Sequence, residues 1–252
     1  MALHVSEQGI GPAIVLLHGL PSPPRDLEAL ASELPEYRML VPHLPGYGDT
    51  PAVAGGHGVQ AIEDALVAAL EERGVREAML VGFSMGGYRA LAMASRVRAR
   101  AVLVLGGFAE LSPEERAGMR GFAAALRAKV DVASMLPPRF LSASWRAGHR
   151  EDDACVEAWA TCGTTEALIE ELDDVADAPS IVARIKELEC PVVARTGDLD
   201  AAVPVHHARA IATSAKRGRL EIVPAVGHAL MIEDRAGTID AIRRLGRDVV
   251  TS

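Results

Sequence analysis

Several residue classes are scarce in this chain of 252 residues. Cysteine occurs three times, at Cys155, Cys162 and Cys190, and this odd number excludes a disulfide framework and indicates a reducing compartment. Aromatic residues make up only 4% of the chain, so a substrate pocket has to be lined mainly by aliphatic and methionine side chains. Basic residues are outnumbered by acidic ones, and the net charge of −8 argues against nucleic acid or an anionic membrane surface as a partner.

Long hydrophobic runs are also missing. The longest apolar runs have the length of a β-strand, well short of a membrane span. The N-terminal residues Met1–Glu7 have neither the basic nor the apolar region of a signal peptide. Histidines and cysteines show no metal-ligand spacing. We therefore expect a cytoplasmic protein that uses no metal and no other cofactor.

Short apolar runs alternate with segments of helical periodicity along most of the chain. The runs are rich in β-branched residues, which is typical of strands buried on both faces. Strands are predicted at 13–17, 38–41, 78–81, 101–105, 191–195 and 220–223, and helices at 25–34, 59–72, 88–94, 205–215 and 232–249. This alternation predicts an α/β fold with a mostly parallel sheet covered by helices on both faces.

The alternation stops between Ser112 and Lys186, where helical periodicity continues without a convincing strand. Active sites of parallel sheets lie beyond the carboxyl ends of the strands. A helical insertion that leaves from the strand ending near Leu105 is therefore expected to cover the site as a lid. The predicted domains are the first part of an α/β core at 1–111, a helical lid at 112–186 and the second part of the core at 187–252.

The sequence Gly82-Phe83-Ser84-Met85-Gly86 lies between a predicted strand and a predicted helix. A strand that turns directly into a helix forces the turning residue into a strained conformation, and glycines are needed where the two elements pack closely. Ser84 would stand at the turn with its hydroxyl exposed. A serine nucleophile needs a base that takes its proton and a third group that orients the base.

Candidates for both partners follow other predicted strands. Asp198 and Asp200 come after the strand at 191–195, and His228 comes after the strand at 220–223. Glu110, which follows the strand ending near Leu105, is a more remote candidate for the acid. The order along the chain is then serine, acid, histidine.

In this order the sequence resembles the α/β-hydrolase superfamily, and in particular its small lid-bearing serine hydrolases, such as esterases and enol-lactonases. The resemblance covers nearly the whole chain. It rests on five segments in order, His18-Gly19-Leu20, Leu44–Gly48, Gly82–Gly87, Gly197–Pro204 and Gly227-His228.

The resemblance implies a role for each candidate. Ser84 is expected to attack a carbonyl, with His228 as general base and then general acid. Asp200 is favoured over Asp198 and Glu110 as the residue that orients His228, because the acid of similar proteins lies three residues after the glycine of its loop.

The resemblance also implies an oxyanion hole. The backbone N–H groups of Leu20 and Met85 are expected to form it, and His18 is expected to hold the Leu20 loop by hydrogen bonds. One departure is visible, because relatives often carry Asp where His43 stands, directly before the loop Leu44–Gly48. This substitution puts the bonding of the Leu44–Gly48 loop in question and leaves the chemistry unaffected.

These residues predict a carboxylic ester hydrolase that acts on a small ester or lactone, as a monomer or homodimer. A carbon–carbon bond hydrolase ranks lower, because Phe83 and Ala229 stand where such relatives often carry a polar residue and Trp. A cofactor-free perhydrolase or haloperoxidase and a ligand-binding receptor without turnover stay open. A dehalogenase or epoxide hydrolase would need Asp at position 84.

Four other features are interpreted as structural. Arg89 is expected on a solvated face of the helix after Ser84, and the acidic run Glu166–Asp177 as the wet face of the lid. His206 and His207 are interpreted as surface residues. Cys155 and Cys162 are expected to pack inside the lid.

Overall fold

The structure, a computed structural model, describes residues 1–53 and 58–250. Residues 54–57, within the predicted loop that runs to Gly58, lie outside this part. The strands in the described part are β1 Val5–Gln8, β2 Ala13–Leu17, β3 Arg38–Pro42, β4 Met79–Phe83, β5 Ala101–Leu105, β6 Val192–Gly197 and β7 Gly218–Val223.

Helices connect these strands. They are α1 Pro24–Ala31, α2 Val59–Glu72, α3 Met85–Met93, α4 Pro113–Arg127, α5 Pro137–Phe140, α6 Ala143–Gly148, α7 Arg150–Glu157, α8 Thr165–Asp177, α9 Val182–Glu187, α10 Val205–Ser214, α11 Leu230–Glu233 and α12 Arg235–Val250. Two 3₁₀ turns, Ala133–Met135 and Ala158–Thr161, lie between them. Among the described residues, every helix is too short or too polar to cross a lipid bilayer.

The strands form one sheet in the order β1-β3-β2-β4-β5-β6-β7. β1 is antiparallel to β3, and the other neighbouring strands are parallel. Every residue of the central strands β4 and β5 is buried, which explains their uninterrupted apolar sequences. The predicted fold class, a mostly parallel sheet with helices on both faces, is confirmed.

Alternate side chains of the strands enter two apolar clusters on opposite faces of the sheet. Leu80 of β4 packs on the face covered by α2, α3 and α10, which contribute Ile62, Leu91 and Ile211. Met79, the preceding residue, packs on the face covered by α1 and α12. The sheet is thus covered on both faces, and the loops at its carboxyl edge follow strands that are packed on both sides.

Helices α4 to α9 lie between β5 and β6 in the chain. The start of α4 is a capping box, in which the Ser112 hydroxyl accepts from the Glu115 N–H and the Glu115 carboxylate accepts from the Ser112 N–H. α4 and α8 pack together through Leu126 and Leu172. These six helices are called the helical insertion below.

One prediction about helices was wrong. The predicted helix at 232–249 is two helices, because Asp234 leaves the helical conformation between α11 and α12. In the helical insertion, Pro137 and Pro138 occupy the first turn of α5. Proline is tolerated there because the first N–H groups of a helix have no partner within it.

Candidate active site

Ser84 lies in the single-residue turn between β4 and α3. Its backbone has φ 53° and ψ −119°, a combination that a residue with a side chain rarely adopts. The turn is held by the Ser84 N–H, which donates to the Leu105 carbonyl at 2.8 Å, and by the Gly87 N–H, which donates to the Ser84 carbonyl at 2.9 Å. Strain of this kind persists only where the surrounding structure enforces it.

Two glycines make this turn possible. A Cβ atom on Gly82 would lie 2.1 Å from the Gly86 carbonyl oxygen. A Cβ atom on Gly86 would lie 2.1 Å from the Leu17 carbonyl oxygen. The predicted close packing of strand and helix around Ser84 is therefore present. A side chain at position 82 would push β4 away from α3, and one at position 86 would push α3 away from β2.

Asp200 follows β6 and is buried. One carboxylate oxygen accepts from the N–H groups of Ala202 at 2.9 Å and Val203 at 2.7 Å. The other oxygen lies 2.7 Å from Nδ1 of His228. These bonds fix the carboxylate against the imidazole.

The two other acid candidates are not in contact with His228. Asp198 is exposed, and its side chain accepts from the Ala225 N–H at 2.7 Å. Glu110 is also exposed. Of the three carboxylates, the structure brings Asp200 to the histidine.

His228 follows β7 and is fully buried. Its ring packs between Phe83 and Phe140, with ring centroids 4.9 Å and 5.0 Å away. Because Nδ1 donates to Asp200, the lone pair of the neutral ring is on Nε2. Nε2 has no hydrogen-bond partner among the described residues, so the Ser84 hydroxyl is not bonded to it in this structure.

The loop that carries His228 is held by the helical insertion. The N–H groups of His228 and Ala229 both donate to the Phe140 carbonyl at 2.9 Å. The Ser142 N–H donates to the Glu233 carboxylate at 2.8 Å, just beyond the same loop. Segment 140–142 therefore positions the histidine, a role that no sequence motif indicated.

Leu20 lies in the loop after β2, next to Ser84. A Cβ atom on the preceding Gly19 would lie 2.8 Å from Ser84 Cβ, so the loop after β2 touches the turn that carries Ser84. Among the described residues, the N–H groups of Leu20 and Met85 donate to no protein group. Leu20, Met85 and Ser84 all border the same cavity.

His18 holds the Leu20 loop from within the protein. Its Nδ1 donates to the Gly19 carbonyl at 2.9 Å, and its Nε2 accepts from the Leu44 N–H at 3.2 Å. Burial lowers the pKa of His18 to about 4. The neutral ring therefore serves as a hydrogen-bonding link between two loops.

His43 links the loop after β3 to α1. Its Nδ1 accepts from the Asp49 N–H at 3.0 Å, and its Nε2 lies 2.9 Å from the Glu28 carboxylate. The loop is thus bonded through both nitrogens of the residue that departs from the family pattern.

A cavity of about 560 Å³ opens above Ser84. Most of its wall is apolar, and most of its lining residues come from the helical insertion. They are Leu20, Pro21, Ser84, Met85, Phe108, Leu111, Glu114, Glu115, Gly118, Met119, Gly121, Phe122, Ala125, Met135, Leu136, Arg139, Phe140, Leu172, Val175, Ala202, Val203 and His207.

Some interpretations of polar residues were wrong. Arg89 is fully buried and forms an ion pair with the equally buried Glu171 of α8, so it is not solvated. His207 is buried, borders the cavity and lies 2.7 Å from the Glu115 carboxylate. Cys155 is exposed instead of packed. In each case, tertiary packing determines whether the side chain is buried and what it contacts, and sequence periodicity does not reveal this.

The model of the Alpha/beta hydrolase family matches residues 14–241. The chain belongs to the alpha/beta hydrolase family. Among solved structures, a thermophilic esterase from Thermogutta terrifontis superposes with a TM-score of 0.90, at 27% identity over 98% of this chain and 93% of that chain. The enol-lactonase from Burkholderia xenovorans LB400 superposes with a TM-score of 0.87, at 20% identity over 99% of this chain and 96% of that chain. This alpha/beta hydrolase is therefore an enzyme, a hydrolase.

Two curated relatives carry other names. The chain is 28% identical over 242 residues to 2-succinyl-6-hydroxy-2,4-cyclohexadiene-1-carboxylate synthase from Serratia proteamaculans, which covers 90% of this chain and 91% of that protein. It is 39% identical over 90 residues to Epoxide hydrolase 3 from Siraitia grosvenorii. That match spans only 28% of the length of the epoxide hydrolase.

Proposed function

We propose that this alpha/beta hydrolase cleaves a small carboxylic ester or lactone through an acyl-enzyme on Ser84. The observation that carries the proposal is the position of Ser84. It stands on a strained strand-to-helix turn and on the wall of an apolar cavity, and the ring of the preceding Phe83 contacts His228 of the buried Asp200–His228 pair. This arrangement fits nucleophilic catalysis by serine.

In the first half-reaction, Ser84 Oγ attacks the carbonyl carbon while its proton moves to Nε2 of His228. Asp200 keeps the ring in the tautomer that has its lone pair on Nε2 and stabilises the imidazolium that forms. The N–H groups of Leu20 and Met85 donate to the oxyanion, and each such donor is worth about 10²–10³ in rate. Collapse breaks the bond to the alcohol oxygen, which takes the proton from Nε2.

In the second half-reaction, water attacks the acyl group on Ser84. His228 takes the proton of the water and then returns it to the Ser84 oxygen as the acid leaves. An ester yields an acid and an alcohol, and a lactone yields one hydroxy acid.

The unpartnered Nε2 of His228 is consistent with this sequence of steps. A buried imidazole nitrogen without a partner is free to accept a proton, and catalytic hydrogen bonds are often long without substrate and tighten when it binds.

The cavity supports a small and largely apolar acyl or alcohol group. Its volume of about 560 Å³ lies in the range of small-molecule sites, and most of its wall is aliphatic, methionine or phenylalanine side chains. The helical insertion serves as the lid that excludes water from this space. The names of the Thermogutta esterase and the Burkholderia enol-lactonase agree with this substrate class.

The names of the two curated relatives suggest other chemistry. The product named for the Serratia protein carries carboxylate groups, whereas the ionisable side chains on this cavity are Glu114, Glu115, Arg139 and His207. Two acids and an exposed arginine are a poor receptor for a polyanion. An epoxide hydrolase of this fold would use Asp at position 84, where this chain has Ser.

Hydrolysis of p-nitrophenyl esters of graded acyl length tests the proposal. We expect turnover that depends on chain length and falls at least about 10⁴-fold in Ser84→Ala. Because oxyanion donors remain in that variant, substrate binding is expected to persist. Absence of ester and lactone turnover, with activity on a vinylogous diketone acid or in a peroxide-dependent halogenation assay, would replace the proposal by one of the alternatives on the same scaffold.

A further inference from the structure

A cluster of three metal-ligating side chains lies outside the proposed triad, and two of the three border the cavity. Glu115 lies in the first turn of α4, and His206 and His207 lie in the first turn of α10. Glu115 Oε1 is 2.7 Å from His207 Nε2 and 3.9 Å from His206 Nε2. All three ligand atoms are within 4.8 Å of one another.

The spacing of these atoms suits a tetrahedral ion. Zinc bonds to imidazole nitrogen and carboxylate oxygen of about 2.0–2.2 Å place neighbouring ligand atoms roughly 3.4 Å apart. The two separations between carboxylate and imidazole bracket that value, and the two imidazole nitrogens lie within 4.8 Å of each other, so side-chain movements of roughly 1–1.5 Å would complete the set. Two histidines and one carboxylate with an open fourth position are a common zinc ligand set.

The carboxylate is already oriented for this role. Glu115 Oε2 accepts from the Ser112 N–H at 2.7 Å, which leaves Oε1 facing the histidines. A ligand held by such a second bond loses less freedom when a metal binds. Coordination takes both imidazoles as neutral rings, so the hydrogen bond between His207 and Glu115 is replaced by bonds of each residue to the shared ion.

The cluster is accessible from solvent on one side. The side chain of His207 is 7% exposed, that of Glu115 is 25% exposed and that of His206 is 66% exposed. Glu115 and His207 border the same cavity as Ser84. An ion could therefore enter past His206 and would be held at the wall of the cavity.

A second cluster, His4, His43 and Asp49, has similar composition but different bonding. Both nitrogens of His43 are engaged, Nδ1 by the Asp49 N–H and Nε2 by Glu28. Asp49 is also largely exposed. Metal binding there would break bonds that hold the loop, so this cluster serves as a matched control.

We propose that Glu115, His206 and His207 form a site for a divalent transition metal ion, with Zn²⁺ as the best match. The site joins the helical insertion to the core, because α4 belongs to the insertion and α10 does not. Occupancy therefore stabilises the folded state and fixes the insertion against the core. The proposal does not depend on ester hydrolysis.

The test measures binding and stability in tag-free, EDTA-treated protein. Co²⁺ and Zn²⁺ are titrated at pH 7.5 while the visible d–d absorption of Co²⁺, the bound metal per chain and the melting temperature are recorded. We expect one ion per chain, a tetrahedral cobalt spectrum that Zn²⁺ removes, and a melting temperature that rises with Zn²⁺.

His206→Ala is the informative variant, because its exposed side chain is not needed for folding. Loss of a residue that only hydrogen-bonds to a metal ligand already weakens metal binding by about 10–100-fold. We therefore expect loss of the ligand His206 itself to weaken binding by at least that factor. His4→Ala is expected to bind Zn²⁺ like the unsubstituted protein. Absence of stoichiometric binding, or equal binding by His206→Ala, would overturn the proposal, and loss of binding in His4→Ala alone would move the site to the other cluster.

Discussion

Ser84 has a backbone conformation that a residue with a side chain rarely adopts, and neighbouring groups hold it in that conformation. Residues that accept such strain cluster at functional sites, because rigid surroundings hold them there. Here the surroundings are the Leu105 carbonyl, which accepts from the Ser84 N–H, and the glycines on either side. Ser84 borders the cavity, and the proposed mechanism needs its hydroxyl there.

The neutral state of His18 makes stability depend on pH. Its pKa is about 4 in the folded protein against 6.5 for an ordinary histidine, so between these values the unfolded chain binds a proton that the folded chain does not. Stability is therefore expected to fall as the pH drops from about 6.5 to about 4. The full shift corresponds to roughly 3 kcal/mol of unfolding free energy.

Urea unfolding of the unsubstituted protein and of His18→Asn, measured from pH 7.5 to pH 4, separates this contribution from that of other groups. The free-energy difference between the two proteins is expected to shrink as the pH falls. A difference that stays constant across that range would show that His18 protonates equally in the folded and unfolded states.

At the residue scale, the sequence was informative where the family resemblance supplied a spacing. In similar proteins the acid lies three residues after the glycine of its loop, which favoured Asp200 over Asp198, and the structure places Asp200 against His228. Arg89 could not be assigned in the same way. Its partner Glu171 lies 82 positions away, and no local pattern encodes which distant charge a helix will meet.

The buried ion pair between α3 and α8 connects the helix after Ser84 to the helical insertion. Both side chains are 1% exposed. Arg89 Nε and Nη1 and Glu171 Oε2 have no hydrogen-bond partner among the described residues. Such a pair contributes little net stability compared with apolar residues, yet removal of one partner leaves a buried charge without compensation.

We therefore expect Glu171→Leu to lower the free energy of unfolding by about 3–5 kcal/mol. The double variant Arg89→Met/Glu171→Leu is expected to regain most of that loss. Urea unfolding at pH 7.5 measures both.

Asp173→Asn is the matched control on the same helix, because Asp173 pairs with Arg127 at the surface. Exposed pairs contribute about 0–1 kcal/mol, so this variant should be nearly neutral. A Glu171→Leu variant no less stable than the control, or a double variant as unstable as the single one, would contradict this account.

At the element scale, periodicity predicted the central strands well, since burial on both faces of a strand is a local signal. The acidic run Glu166–Asp177 was interpreted as a wet face. Most of its acids are consistent with that, but Glu171 turns inward because α3 presents Arg89 to it. The break at Asp234 was also missed, because the apolar periodicity of α11 and α12 is nearly continuous.

The cavity is formed by two parts of the molecule that are distant along the chain. The core supplies Ser84, Leu20 and Met85, and the helical insertion supplies most of the remaining wall. Sequence motifs could therefore predict the candidate nucleophile and the edge of the sheet that carries it. They could not predict the shape of the cavity, because that shape depends on how α4 and α8 pack.

A substitution within the cavity tests its role in substrate choice. Ala125 of α4 borders the cavity, and we expect Ala125→Phe to lower kcat/KM for long-chain p-nitrophenyl esters by at least about tenfold, with little effect on the acetate. A change of one methylene in an apolar pocket is already worth about 10–200-fold. Ala124→Phe, which adds the same side chain on the exposed side of α4, is the control. Equal effects of the two variants would show that the cavity does not hold the acyl chain.

The most direct test of the proposed function is covalent labelling of Ser84. The protein is incubated with an alkyl p-nitrophenyl phosphonate, and the intact mass and the modified peptide are determined by mass spectrometry. We predict one adduct per chain, located on Ser84, absent in Ser84→Ala and formed at least about 100-fold more slowly in His228→Ala. An unlabelled Ser84 in protein that still hydrolyses esters, or an adduct on another residue that abolishes activity, would contradict the proposed acyl-enzyme.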